Sequence, residues 1–200
     1  MTFLIREPEP TEDYMILGIT GSGKSEFLKF LIEQYNKQGH TIIVYDAEKE
    51  HDQFSSWTPQ DKLYMGQVVR YVPSKPADRM EFDEVCRWIY GRRNIIFCIE
   101  SIDFYAPIRK DLTPFFKKLV HWGRKRGHTL IMVTRRTAKV DKDACAFITH
   151  WIIFRTYISN DVKWLRETIG DDAEKAKTLQ KHHYLYWSFG TCEICTPILL

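Results

Sequence analysis

Gly18-Ile19-Thr20-Gly21-Ser22-Gly23-Lys24-Ser25 satisfies the pattern G-x-x-x-x-G-K-[ST] of a phosphate-binding loop. A triphosphate needs many donors converging on it. A loop supplies them only if its backbone N–H groups turn inward. Gly18, Gly21 and Gly23 permit the positive φ values and close approach that this requires. Lys24 is placed to carry its ammonium to the β- and γ-phosphates, and Ser25 to give its hydroxyl to Mg²⁺. Thr20, Ser22 and Glu26 complete the nucleotide-binding stretch, and the helix beginning there would turn its positive end toward the phosphates.

The flanks agree with the loop. Tyr14 to Leu17 is short and apolar, as a buried strand should be. Phe27, Leu28, Leu31, Ile32 and Tyr35 recur at helical spacing, and Gly39 stops the helix. Further along, apolar runs alternate with amphipathic ones. Thr41–Asp46, Val68–Val72, Asn94–Glu100, Thr129–Thr134 and Trp151–Phe154 read as strands. Helices are expected around Phe82–Ile89, around Leu112–Val120 with Pro114 in the first turn, over Val162–Ile169 capped by Ser159-Asn160-Asp161, and over Asp171–Gln180. Ala47–Gln60 is polar and reads as a loop or short helix. Tyr184–Trp187 and Thr191–Thr196 suggest a closing hairpin within residues 183–200. The fold class is therefore α/β: a P-loop NTPase of RecA/ASCE type, with a mostly parallel central sheet and helices on both faces.

Asn94–Glu100 is continuously apolar and closed by a carboxylate, as a central parallel strand with an acid at its C-terminal end would be. In a P-loop protein, both the Mg²⁺-associated carboxylate and the water-activating base are expected there. Glu100 is the leading candidate and Asp103 the second. The P-loop, Asp46, Glu100, Thr134-Arg135 and Arg155 all fall at strand C-termini, where ligands of such sheets sit.

Composition bounds the rest. The chain has 200 residues, is 44% hydrophobic and carries a net charge of +3. No linker, repeat or low-complexity run divides it, so residues 1–200 read as one domain with an irregular lead-in over 1–13. No apolar run approaches the roughly 18 residues of a membrane span. The opening stretch Met1–Pro8 does not resemble a signal peptide, which predicts intracellular action. Charge is uneven: residues 109–139 hold ten Lys/Arg against the single acid Asp111, a segment suited to a polyanion. Cys192 and Cys195 form the one C-x-x-C. With His182 and His183 they offer a zinc set or, by themselves, a disulfide; two small residues of a terminal strand is the plainer reading. The six tryptophans are expected in the core or at an interface.

The order of these motifs resembles the FtsK/HerA superfamily of DNA-pumping ATPases, in particular the genome-packaging ATPases of icosahedral viruses with internal membranes, with an archaeal-virus member suspected. Five features carry the resemblance: the P-loop, Val44-Tyr45-Asp46, Ile99-Glu100, Gly123-Arg124-Lys125-Arg126-Gly127, and Leu130 to Arg136. It implies a ring, commonly a hexamer, that hydrolyses ATP with Mg²⁺ held by Ser25 and Glu100, and drives double-stranded DNA into a capsid. DNA would be gripped by its phosphate backbone, and a capsid-vertex or internal-membrane protein is a further possible partner. The place of action would be host cytoplasm or virion. The resemblance also implies an arginine finger from a neighbouring subunit, with Arg124 and Arg126 as candidates and Arg155 as a third. Two departures stand out. Glu100-Ser101 replaces the usual Asp-Glu, so Glu100 stands either for the metal-associated acid or for the base. Arg135 replaces the usual Gln after Thr134; an arginine there can stabilise transition-state charge. Two other readings remain open: a P-loop nucleotide or nucleoside kinase with Arg135–Lys139 as its lid, and an ATP-gated assembly factor that does not hydrolyse.

Overall fold

The computed structural model describes residues 8–198. The elements follow one another as strand β1 (Tyr14–Leu17), helix α1 (Lys24–Lys37), β2 (Thr41–Tyr45), β3 (Ser55–Ser56), β4 (Val68–Tyr71), α2 (Arg79–Tyr90), β5 (Ile95–Ile99), α3 (Ile102–Tyr105), α4 (Pro114–Trp122), β6 (Thr129–Thr134), β7 (His150–Phe154), α5 (Ser159–Ile169), β8 (Tyr184–Ser188) and β9 (Thr191–Cys195). Among the described residues the strands form one sheet in the order β3-β4-β2-β5-β6-β1-β7-β8-β9. Pairing is parallel from β3 through β7. The last two strands turn antiparallel.

Alternation along the strands divides the core between the two faces. Tyr14 and Ile16 point to one face, where Phe27, Leu28, Leu31 and Tyr35 of α1 cover them. Met15 and Leu17 point to the other, under α2, α4 and α5. β1 lies between β6 and β7 with helices over both of its faces, which is why its sequence is continuously apolar. Helices thus flank the sheet on both sides, as the sequence pattern implies.

Several elements differ from the sequence expectations. The stretch 47–60 holds the two-residue strand β3, which pairs with β4. A short helix, α3, follows Glu100 directly. The polar stretch after Gly170 is a 3₁₀ helix over Gly170–Lys177. Ser159-Asn160-Asp161 supplies no side-chain cap to α5. Asp161 is drawn away instead: its carboxylate accepts from Arg136 Nε at 2.9 Å and Ala138 N at 2.8 Å, tying α5 to the loop after β6. Thr113 likewise gives α4 no side-chain cap. Asp83 of α2 does that work from across the interface, accepting from Phe115 N at 2.8 Å and Phe116 N at 3.1 Å. Of the tryptophans, Trp57, Trp151 and Trp164 are buried and Trp122 is exposed.

Asp13 clamps the N-terminal ends of three central strands. Its carboxylate accepts from Leu130 N at 2.7 Å. Its carbonyl accepts from Thr149 N and His150 N, both at 3.1 Å. Burial pushes its pKa up to about 7, against the lowering by the Leu130 N–H and Arg124. A carboxyl whose folded pKa is raised favours folding while protonated, and that contribution is lost as pH rises from about 4 to about 7. Asp13→Asn mimics the neutral form. Its Tm should therefore exceed that of the parent by more at pH 8 than at pH 4.5 in paired melts; an equal difference at both would contradict the assignment.

Candidate functional site

The P-loop leaves β1 at Leu17 and returns as the first turn of α1. Gly18, Gly21 and Gly23 have φ values of 147°, 74° and 115°. Gly18 is the position without alternatives, because a Cβ there would lie 2.6 Å from Phe154 Cβ on the adjoining β7. The loop is also anchored by Ile19 N donating to Arg155 O at 3.0 Å. Lys24 Nζ donates back to Ile19 O at 2.9 Å. Burial, and then the Arg135 charge, depress the Lys24 pKa to about 8, although Glu48, Glu50 and Glu100 act in the opposite direction.

The loop opens on a recess of about 120 Å³ on the β5–β6 side. Thr20, Gly21, Lys24 and Ser25 form one wall; Glu100, Ser101, Thr134 and Arg135 form the strand-end wall; Glu48 and Glu50 close it from the loop after β2. Ser25 Oγ lies 3.2 Å from Glu50 Oε2. Arg135 pairs with Glu48, which also accepts from the Ser101 hydroxyl. Ser101 itself has φ 50° and ψ 49°, a left-handed conformation that turns the chain sharply behind Glu100. Non-glycine residues adopt it at a cost, and such positions cluster at functional sites.

Behind this wall lies a buried polar support. Asp46, at the end of β2, accepts from Glu50 N at 2.9 Å, His51 N at 3.2 Å and Arg70 Nη1 at 3.1 Å. These bonds fold residues 47–51 back over the sheet edge and aim His51 inward. His51 Nε2 then stands 3.0 Å from Glu100 Oε1, with both side chains almost fully buried. Glu100 Oε2 has no hydrogen-bond partner among the described residues. Ligand atoms of Asp46, His51 and Glu100 all lie within 4.8 Å of one another. Asp46 already accepts three N–H donors, one of them a guanidinium, so this trio does not suit a resident cation. It sets the His51 imidazole beside the Glu100 carboxylate instead.

The predicted site residues therefore separate into groups. Gly18 and Ser22 belong to the loop, and Ser22 is buried with no hydrogen-bond partner for its hydroxyl among the described residues. Thr20, Gly21, Lys24, Ser25, Glu100 and Arg135 converge on the recess. Gly23 and Glu26 face away from it, toward β7 and β8. Asp103 accepts from Thr134 Oγ1 at 2.8 Å and does not line the recess, so it braces the end of β6. Arg124 and Arg126 lie before β6, at the opposite end of the strands. Arg124 Nε donates to Thr11 O at 2.6 Å, and Arg126 stacks over Tyr90 at 4.9 Å. Neither lines this chain's own recess, nor does Arg155. Cys192 and Cys195 are free thiols, and no metal-ligating group found among the described residues includes them. The functional residues that sequence reasoning missed are Glu48, Glu50 and His51. Their signal was the run of charge and imidazole within five positions of the strand-end acid Asp46.

Comparison with known proteins agrees with this geometry. Residues 11–101 match the family described as helicase HerA, central domain. Protein P9 of Pseudoalteromonas phage PM2 is 23% identical over 143 residues, an alignment spanning 66% of this chain and 63% of that protein. The genome-packaging NTPase B204 of Sulfolobus turreted icosahedral virus 2, in complex with ATP-γS, superposes with a TM-score of 0.85 at 23% identity, covering 96% of this chain and all of that one. VirB4 of Thermoanaerobacter pseudethanolicus gives a TM-score of 0.72 at 8% identity, over 94% of this chain and 89% of its own. The chain has the P-loop NTPase fold, and its residues 11–101 are similar to the HerA central domain. No helix among the described residues is long and apolar enough to cross a membrane.

Gly18→Ala should cost about 2 kcal/mol through the forced contact with Phe154. That corresponds to a Tm lowered by roughly 4–8 °C in a domain of this size. An unchanged Tm would contradict the close packing of the loop on β7.

Proposed function

We propose that this chain is an ATP-driven motor that moves double-stranded viral DNA into a capsid as a subunit of a ring. The observation that carries the proposal is the convergence of Lys24 and Ser25 with a buried glutamate that has His51 beside one oxygen and, among the described residues, no hydrogen-bond partner at the other. The packaging function of the B204 relatives, which match along nearly the whole chain, supplies the direction of the reading.

Loop amides and Lys24 hold the β- and γ-phosphates. The donor set of the recess, a serine hydroxyl facing carboxylates, suits a hard oxygen-seeking cation. Ser25 with Glu50 would hold Mg²⁺, which supplies neutralisation of the phosphate charge. Glu100 accepts the proton of the attacking water through its free oxygen, while His51 keeps the carboxylate from rotating away. Arg135 leaves Glu48 for the γ-phosphate, where its charge counts most in the transition state. Arg124 and Arg126, remote from this chain's own recess, would act only on the site of a neighbouring subunit.

Coupling to DNA follows from what β5 and β6 carry. The loops after them are paired: Ile108 N donates to Lys139 O at 2.8 Å and Asp141 N to Ala106 O at 2.9 Å. Arg109, Lys110 and Lys139 on these loops are exposed. Such a cationic edge suits the phosphate backbone, which carries no sequence information. The Thr134–Asp103 bond links the two strand ends just above Glu100. A shift of Glu100 or Arg135 would therefore move both loops together.

ATP hydrolysis should rise on addition of linear double-stranded DNA, less so at high salt, and vanish in Lys24→Ala. In the same assay Glu100→Gln should bind nucleotide but lose roughly 10²–10⁴ in kcat. His51→Gln should lose on the order of 10² in kcat with KM unchanged, as a misplaced catalytic group does. Hydrolysis indifferent to DNA, or turnover that needs a small phosphate acceptor, would contradict the motor.

A further inference from the structure

Arg135 must leave Glu48 if it is to reach a γ-phosphate, and the acid it leaves behind then faces the recess without its guanidinium. What that acid does next is decided by how it is held. Glu48 and Glu50 both line the recess, while Lys49 between them is exposed and has a φ of 60°. The loop carrying them is pinned at its far end, where the Asp46 carboxylate accepts from Glu50 N at 2.9 Å and His51 N at 3.2 Å. Glu48 is therefore a half-buried acid on a closed loop. Its two oxygens have different partners: Oε1 accepts from the Ser101 hydroxyl and Oε2 from Arg135.

Glu48 is also the acid that Lys24 feels most. Burial and the Arg135 charge lower the Lys24 pKa; of the three acids that oppose them, Glu48 acts most strongly, ahead of Glu50 and Glu100. The Lys24 ammonium is the group that meets the terminal phosphates, so Glu48 stands near the place of attack. Glu50 is occupied elsewhere, 3.2 Å from Ser25 Oγ on the cation side. Glu100 has His51 beside one oxygen and offers the other.

One acceptor does not aim a water. A water held by a single O–H still swings about that bond, whereas attack needs its lone pair aligned on phosphorus at about 3–3.5 Å. Two acceptors engage both O–H bonds and leave the lone pair pointing one way. We propose that Glu48 is the second acceptor: once Arg135 has moved to the γ-phosphate, the Glu48 oxygen it vacates takes one O–H of the attacking water while Glu100 takes the other.

The step then balances. The water oxygen bonds to the γ-phosphorus, the bond from phosphorus to the bridging oxygen breaks, and ADP keeps that electron pair. The proton facing Glu100 passes to Glu100. The other stays on the oxygen now bound to phosphorus, so Glu48 takes none. Ser101 acts through Glu48, holding its second oxygen in place. Pairing with Arg135 keeps the acid engaged until the arginine has found a γ-phosphate. The inference rests on the P-loop being the ATP site, and goes beyond it in giving Glu48 and Ser101 roles in the reaction.

The test is steady-state hydrolysis of Mg·ATP by the whole chain, with Mg·ATP-γS binding followed by calorimetry. The proteins are the parent, Lys24→Ala, Glu48→Ala, Glu48→Gln, Ser101→Ala and the double variant Glu48→Ala/Ser101→Ala. Glu48→Ala should lose on the order of 10² in kcat while binding ATP-γS no more weakly than the parent. Glu48→Gln should recover at least about tenfold of that loss, because an amide oxygen still accepts from water and orients it. Ser101→Ala should lose up to about tenfold, and should add nothing in the double variant. The Mg²⁺ concentration for half-maximal turnover should be the same in Glu48→Ala as in the parent. Parent-like turnover in Glu48→Ala, or Glu48→Gln as impaired as Glu48→Ala, would overturn the proposal. So would additive losses in the double variant, or a raised Mg²⁺ requirement, which would make Glu48 a cation ligand. Turnover absent from the parent, or indifferent to Lys24→Ala, would instead mark the P-loop reading as the one that failed.

Discussion

A buried ammonium held by a single carbonyl is the constraint on which this site depends. Lys24 is 7% exposed and, among the described residues, makes one hydrogen bond, to Ile19 O. Removing a charge from water is costly unless it is paired. Here Arg135 adds repulsion, and the three acids across the recess offset it incompletely, so the pKa settles at about 8. Below that pH the charged lysine opposes folding, and the opposition fades as pH rises toward the ordinary lysine value. An anion placed in the loop would relieve it at once. The ligand-free protein thus keeps a cation short of partners at the point where a polyphosphate would arrive.

The acidic side of the recess is organised by a chain of contacts reaching deep into the sheet. Arg70 on β4 fixes Asp46, Asp46 fixes the backbone of His51, and His51 stands beside Glu100. The first and last of these contacts cross between neighbouring strand ends, in the order β4-β2-β5, so sheet order decides which residues can cooperate. The left-handed turn at Ser101 then sends the chain into α3 and the basic loops. Position of the carboxylate and position of the basic loops are set by the same few residues.

Much of this is legible in the sequence. The glycine spacing from Gly18 to Gly23 gave the loop, and the continuous apolar runs ending in Asp46 and Glu100 gave buried parallel strands with acids at their ends. What escaped had non-local causes. Glu48, Glu50 and His51 look like solvated loop residues until β2 is placed beside β5. Asp83 looks like a helix-surface acid until α4 is laid against α2 with its first N–H groups open. Asp161 looks like a local cap until the loop after β6 offers it a guanidinium and a backbone N–H. Asp103 went to Thr134 for the same reason. Arg124 and Arg126 form a conspicuous basic cluster in one dimension, yet their position ahead of β6 puts them at the far end of the sheet from the P-loop.

The most direct test of the account is whether nucleotide binding protonates Lys24. Titrating ATP-γS into the protein at pH 8.5, in two buffers of different ionisation enthalpy, measures protons taken up per nucleotide bound. With a ligand-free pKa of about 8, the account predicts uptake of roughly three quarters of a proton. Lys24→Arg, whose guanidinium stays charged, should bind without uptake. Binding of the parent with no proton uptake, or equal uptake in the variant, would contradict the claim that a buried, under-partnered lysine defines this site.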